Sequence, residues 1–133
     1  MLNFSSVAEC HFVRNAGIDA IVTLPNLEVL VLNSLPLVRN IDLWDARNLK
    51  MLECRNSRFT DDEMINIIES VPQLSVLDLS ECEEITNRTL GKVAALTANR
   101  TNNTVLKIFV GGTSVNLSTF DNTSPFLQIV IAL

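Results

Sequence analysis

The fold is decided by three stretches of sequence that share one frame: NLEVLVLNSL (residues 26–35), NLKMLECRNS (residues 48–57) and QLSVLDLSEC (residues 73–82). Each contains the pattern L-x-x-L-x-[L/C]. The alternating residues are typical of a short strand with one apolar face, and the earlier leucine precedes the strand where the chain turns into it. A single copy cannot bury that face, whereas stacked copies bury it against each other. The repetition therefore predicts a stack of strand-containing units.

Weaker copies of the frame flank these three. The six copies begin 20 to 31 residues apart, at Val7, Leu27, Leu49, Leu74, Val105 and Phe126. This spacing resembles that of leucine-rich repeats. The resemblance implies an α/β fold, a right-handed leucine-rich-repeat solenoid in the form of a short horseshoe, with a parallel sheet on the concave face and helices and irregular segments on the convex face. We expect one domain of five to six repeats over residues 1–133.

The positions after each strand indicate how the copies are joined. The ninth position of the frame is occupied by Leu35, Ser57, Cys82 and Thr113. We expect these side chains to point back into the stack, where a small or hydrogen-bonding group satisfies the loop backbone. The pair Gly111 and Gly112 lacks the spacing of a phosphate-binding loop and indicates either a tight turn or a thinned concave face.

The segments between strands carry a helical period. Over residues 60–70, apolar residues recur at helical spacing, and Thr60 with Glu63 forms a capping box. Thr86 is the candidate N-cap of a second helix. The connections at residues 35–48 and 115–125 are shorter and lack an amphipathic run, so we expect irregular or 3₁₀ structure there.

One stretch also indicates a subfamily. VPQLSVLDLSECEEITNRTLGKVA (residues 71–94), and more loosely residues 48–74, resembles the cysteine-containing repeats of F-box/LRR proteins, whose pattern is L-x-x-L-x-L-x-x-C-x-x-I-T-[D/N]-x-x-L followed by a helix. The match is carried by Leu74, Leu77, Leu79, Cys82, Ile85, Thr86, Asn87 and Leu90. The resemblance implies the substrate-recognition part of a ubiquitin-ligase adaptor. No F-box helix bundle is visible ahead of the first copy, so we expect only the recognition half.

Composition argues against several classes of function. The chain has 133 residues, 47% of them hydrophobic, and a net charge of −5. It is too apolar to be disordered and too acidic to bind nucleic acid through a general phosphate-binding surface. Aromatic residues make up 5%, with no tyrosine, one tryptophan and one histidine. These are few side chains from which to build a catalytic centre, so we predict a protein that is not an enzyme and needs no cofactor.

Two groups of side chains invite a metal-site interpretation. His11 lies beside Cys10, but there is no second histidine, and zinc needs four convergent ligands. Asp61, Asp62 and Glu63 fall in the first turn of the predicted helix, where the positive end of the helix dipole favours carboxylates. We therefore expect neither a metal site nor a catalytic site.

Cysteine usage and hydropathy predict a location in the cytoplasm. Cys10, Cys54 and Cys82 are widely separated and form no C-x-x-C pair, which favours a reducing compartment in which they are buried thiols. The apolar stretch at residues 20–38 is interrupted by prolines and polar residues, so we predict no membrane span. Residues 1–10 carry no basic region of the kind that opens a signal peptide.

Six N-x-[S/T] sequons leave a secreted alternative open. They lie at Asn3, Asn87, Asn99, Asn102, Asn116 and Asn122. A secreted, glycosylated recognition protein would carry such sites away from its binding face. The other explanation is that Asn, Ser and Thr are common in repeat loops because they favour turns.

The outward residues of the strands are the predicted binding site for a protein partner. The candidates are His11, Arg14, Val31, Asn33, Met51, Glu53, Arg55, Asp78, Ser80, Glu81, Lys107 and Phe109. Glu53 and Asp78 are expected side by side on neighbouring strands, where like charges are mildly destabilising. This juxtaposition motivates the hypothesis that a basic or polar partner segment covers them.

We therefore expect a protein-interaction module that binds neither nucleic acid nor membranes. A third possibility is a non-catalytic assembly subunit that forms a homo-oligomer through the C-terminal end of the solenoid. Its open ends would then be covered by another chain, because the last copy finishes at Leu133 without a polar cap.

Overall fold

The computed structural model describes residues 4–6, 26–34 and 41–131. It is an α/β fold in which six parallel strands lie in chain order within one sheet. The strands are β1 (Phe4–Ser6), β2 (Val29–Val31), β3 (Met51–Glu53), β4 (Val76–Asp78), β5 (Leu106–Phe109) and β6 (Leu127–Val130). Helix α1 (Asp61–Ser70) joins β3 to β4, α2 (Asn87–Ala98) joins β4 to β5, and a 3₁₀ turn (Leu117–Thr119) precedes β6. The predicted parallel sheet is confirmed.

The core lies between the sheet and the helices. The central residue of each strand occupies one column, in which Leu30, Leu52, Leu77 and Ile108 pair in register and are fully buried. These four residues belong to one hydrophobic cluster with the inward side chains of α1 and α2. Each copy therefore buries its apolar face against the next, as the repetition predicts.

Both predicted helix starts are confirmed. Thr60 accepts a hydrogen bond from the N–H of Glu63, whose carboxylate accepts one from the N–H of Thr60. Thr86 is the N-cap of α2, and its side chain accepts from the N–H of Arg88. The connection into β3 is formed by turns and that into β6 contains the 3₁₀ turn, as expected for the part of these connections that the structure describes.

A tight turn follows the strand in four copies. The eighth position of the frame has a positive φ of 52–74° in Ser34, Asn56, Glu81 and Gly112. In the first three, the N–H of this residue donates at 2.7–2.9 Å to the carbonyl of the seventh residue of the next copy. Gly112 therefore takes its place in a turn, as predicted, and glycine adopts this conformation without steric cost.

Two of the four ninth-position side chains, those of Ser57 and Cys82, point back into the stack; Thr113 instead donates to the carbonyl of Val110 in its own copy at 2.6 Å, and Leu35 lies outside the described residues. Ser57 donates to the carbonyl of Leu32 at 3.4 Å, and the Cys82 thiol donates to the carbonyl of Cys54 at 2.8 Å. Both acceptors are sixth-position carbonyls of the preceding copy. These bonds satisfy buried loop backbone between copies, as expected.

The first copy starts earlier than predicted. The frame that begins at Val7 puts a strand at residues 9–11, whereas β1 spans Phe4–Ser6, with Phe4 paired to Val29. The observed strand carries Ser5 at the position paired with Leu30. Serine gives no apolar signal there, so the frame does not identify β1, and the predicted strand at residues 9–11 lies outside the described residues.

Copies five and six bury a different first residue. The frame predicts Val105 at the first apolar position, but Val105 is 44% exposed, and Leu106 is buried in its place. β5 and β6 are each four residues long, and Leu106 pairs with Leu127. The extra residue extends the alternation of the strand by one position, which turns the second residue of the frame towards the core.

The two described cysteines are buried in this core. Burial raises the pKa of Cys54 well above its ordinary value and raises that of Cys82 to about 11. Cys10 lies outside the described residues.

We expect the buried thiols of Cys54 and Cys82 to resist iodoacetamide in the native protein at pH 8, because the thiolate is the reacting species and burial disfavours it. Both thiols should react in urea, and mass spectrometry of their peptides measures the difference. Rapid native alkylation of Cys82 would contradict the packing.

Candidate partner-binding surface

Strand alternation creates a second face on the sheet. While the central residue of each strand points to the core, its two neighbours point away and form in-register columns across five strands. One column contains Val29, Met51, Val76, Lys107 and Gln128, and the other contains Val31, Glu53, Asp78, Phe109 and Val130. We call these ten residues the open face.

A polar group occupies the middle of the open face. Glu53 and Asp78 are cross-strand partners, and Arg55 reaches both: its Nη1 lies 3.8 Å from Glu53 Oε1 and its Nε lies 3.8 Å from Asp78 Oδ2. Asn33 donates to Glu53 Oε1 at 3.0 Å, and the Ser80 N–H donates to Asp78 Oδ1 at 3.0 Å. The acidic pair is therefore compensated within the chain.

This arrangement changes the electrostatics expected of the surface. The two carboxylates are mostly covered, whereas the Arg55 side chain is 53% exposed. The Arg55 guanidinium donates no hydrogen bond within the described part of the chain, because both of its carboxylate contacts are ion pairs at 3.8 Å. The most exposed charged group at this centre is thus a donor, so the surface also suits a partner that brings a hydrogen-bond acceptor.

Apolar side chains surround the polar group. Met51, Val76 and Phe109 are partly buried on the open face, and Val31 is almost covered. The main chain beneath them is held by the sheet, and the backbone N–H of Arg55 donates to Asn33 Oδ1 at 2.8 Å. A surface fixed in this way loses little conformational entropy when a partner binds.

Most predicted site residues come together here. Seven of them lie on or beside the open face: Val31, Asn33, Met51, Glu53, Arg55, Asp78 and Phe109. Lys107 is also on it and exposed, whereas Ser80 is buried. Glu81 lies in the turn beyond β4, with its carboxylate against Gly112. His11 and Arg14 lie outside the described residues.

Two residues of β6 were missed. Gln128 and Val130 extend the two columns beyond Lys107 and Phe109. The weak frame that begins at Phe126 could have predicted both residues, because alternation places its third and fifth positions, Gln128 and Val130, on the same face of the strand.

The sequons differ in what their asparagines do. Asn87 donates to the carbonyl of Asn116 at 2.9 Å and accepts from the N–H of Asn116 at 2.8 Å. Asn122 donates to the carbonyl of Leu127 at 2.9 Å. These amides join successive copies, so turn and loop bonding accounts for them structurally. Asn99 is exposed and makes one long contact, 3.4 Å from the carbonyl of Ala95.

The acidic run at the start of α1 also has structural partners. Asp61 accepts from Thr86 and Thr89, Asp62 forms an ion pair with Arg88 at 2.6 Å, and Glu63 completes the capping box. Each carboxylate thus serves the packing or the capping of a helix.

The described part of the chain carries neither a metal-binding cluster nor a helix that could span a membrane. Within residues 26–34 and 41–131, no three His, Cys, Asp or Glu side chains are grouped so that they could hold a metal ion. Neither α1 nor α2, the helices of the described ranges, has the length and apolar character to cross a membrane. The sequence matches no protein-family model and no curated protein.

Proposed function

We propose that the chain is a leucine-rich-repeat solenoid that acts as a protein-interaction module, with the open face as its binding surface. The observation that carries this proposal is the pair of in-register columns, whose polar centre is held by cross-strand contacts. The repeated turns and the ninth-position bonds between copies support the assignment to this class of repeat.

The partner segment is one that combines apolar side chains with a hydrogen-bond acceptor. Val76, two residues before Asp78 on β4, and Phe109, paired with Asp78 across the sheet, offer partly buried apolar contact. Arg55 offers five N–H donors, and arginine with aromatic residues is common among the side chains that dominate binding energy. The F-box-like repeat pattern makes substrate recognition for a ubiquitin ligase the biological role that we propose.

Affinity capture with charge-reversed variants tests this function. We expect a partner retained by the wild type to be lost by Glu53→Lys/Asp78→Lys and by Arg55→Ala. Arg55→Ala is included because it should leave the protein folded, since exposed ion pairs contribute only about 0–1 kcal/mol. Loss of the partner by this variant would therefore reflect loss of a binding contact. Ligase subunits or their targets among the retained proteins would support the adaptor role.

The matched control reverses two acids that lie neither on the open face nor in any other proposed site. Asp62 on α1 is ion-paired with Arg88, and Asp121 is exposed in the connection between β5 and β6, so Asp62→Lys/Asp121→Lys makes the same change of charge away from the open face. The control variant should retain the partner. Equal loss in both variants, or equal retention, with folding verified by circular dichroism, would refute the open face as the site.

A further inference from the structure

The only tryptophan of the chain lies on the surface. Trp44 is 65% exposed, in the connection between β2 and β3, while Leu43 and Ala46 on either side of it are buried in the core. An indole is usually well buried, because its large apolar area is costly to leave in water. Its exposure here therefore asks for an explanation.

The local backbone holds Trp44 outward. The N–H of Ala46 donates to the carbonyl of Leu43 at 2.9 Å, and the N–H of Trp44 donates to Asp42 Oδ1 at 2.9 Å. The Gln73 side chain donates at 3.2 Å to the carbonyl of Ala46, which ties the turn to the next copy. The indole is thus presented by an ordered turn and cannot enter the core without breaking these bonds.

A cavity of about 340 Å³ lies against the indole. Its lining comes from the turn and from the C-terminal half of α1: Ile41, Asp42, Trp44, Asn66, Glu69 and Ser70. It lies on the helix side of the sheet, because α1 packs there, and it is separate from the open face. All of its lining residues belong to the described part of the chain.

The charges around this cavity are negative. Asp42 and Glu69 contribute carboxylates, and α1 ends there with no basic residue in its last turn, so the negative end of the helix dipole is uncompensated. Among the described residues, Glu69 has one cationic neighbour, Lys92, at 3.9 Å with both side chains about 40% exposed, which is a weak contact. An aromatic face beside carboxylates suits a cation.

We propose that this cavity binds an arginine side chain of a partner protein, stacked on the Trp44 indole with its N–H groups directed at Asp42 and Glu69. Guanidinium stacks on aromatic faces and donates in a planar fork to carboxylates, whereas ammonium is a more strongly hydrated point charge. The proposal does not depend on the open face, because it uses none of its residues.

Tryptophan fluorescence provides a direct test. With one tryptophan and no tyrosine in the chain, emission reports on Trp44 alone. We expect acetylated tri-arginine amide to change the emission with saturation, and the neutral isostere tri-citrulline to leave it unchanged. Asp42→Asn/Glu69→Gln should weaken tri-arginine binding about ten-fold, because charge-assisted hydrogen bonds are lost. The Asp42→Asn substitution keeps a side-chain oxygen that can accept the hydrogen bond from the N–H of Trp44, so the turn should be preserved.

A charge-matched control separates this site from general attraction to an acidic protein. Glu83→Gln/Asp121→Asn neutralises two exposed acids outside the cavity. The control should bind tri-arginine like the wild type. Equal weakening in both variants, a response to tri-citrulline, or a stronger response to tri-lysine than to tri-arginine would each overturn the proposal.

Discussion

Replacing Leu77 with alanine is expected to lower the free energy of unfolding by about 2–5 kcal/mol. Leu77 is fully buried at the centre of β4, between Leu52 and Ile108 in the core column. Truncation removes apolar contact with both neighbouring copies and leaves a cavity that the sheet cannot close without breaking its register. The loss is measured by urea unfolding followed by circular dichroism.

The adjacent residue supplies the control. Val76 lies on the open face and is partly exposed, so Val76→Ala should cost less than about 1 kcal/mol. If the two substitutions destabilised the protein equally, the assignment of one strand face to the core and the other to the surface would be wrong.

Asp61→Ala is expected to cost about 2–4 kcal/mol, although it is a substitution of a carboxylate near the surface. Asp61 is only 7% exposed, and from the first turn of α1 it reaches the start of α2. It accepts from the N–H of Thr86 at 2.9 Å, from Thr86 Oγ1 at 2.5 Å and from Thr89 Oγ1 at 2.6 Å. Alanine leaves these donors without the acceptor, and Thr89 is fully buried.

Asp62→Ala is the matched control for this prediction. Asp62 is the next residue, its side chain is 76% exposed, and its one ion pair is with Arg88. Such a pair contributes about 0–1 kcal/mol. Thermal unfolding of both variants should separate them clearly, and similar melting temperatures would show that Asp61 does not link the helices.

The effect of Asp61 also has a predicted pH dependence. Burial raises the pKa of Asp61, but the hydrogen bonds from Thr86 and Thr89 outweigh it and hold the pKa below its ordinary value of 3.8. A carboxyl with a lower pKa in the folded state stabilises the fold above its unfolded-state pKa, and this stabilisation is lost as pH falls through the folded-state value. The difference in unfolding free energy between wild type and Asp61→Asn should therefore be constant from pH 7 to about 5 and shrink below about pH 4. A difference that stays constant down to pH 2 would contradict this role.

The parts of the fold that follow from local pattern were predictable. The alternation in residues 27–32 and 74–79 predicts strands and their register, and Thr60 with Glu63 predicts the start of α1. Where a local pattern was misleading, the prediction failed. Ser5 pairs with Leu30 but is not apolar, so β1 lacks the apolar residue by which the frame identifies a strand. In β5, which is four residues long, Leu106 is buried and Val105 is exposed.

The candidate site was predictable in position but not in electrostatics. Alternation assigns Glu53 and Asp78 to one face. Whether Arg55 turns back over both of them depends on the turn after β3 and on its bond to Asn33, twenty-two residues away. A sequence pattern does not specify the direction of a long side chain after a turn, because that direction is set by the neighbouring copy.

The sequence by itself determined the strand frame of the three central copies, the two capped helices and the surface that these three strands present, since each depends on residues within one copy. Only the tertiary structure decided that Arg55 reaches Asp78, that Asp61 joins α1 to α2, and that Glu69 of α1 lines the same cavity as Trp44. Each of these contacts joins residues of different elements, so it arises from the register of the copies and not from the periodicity within one of them.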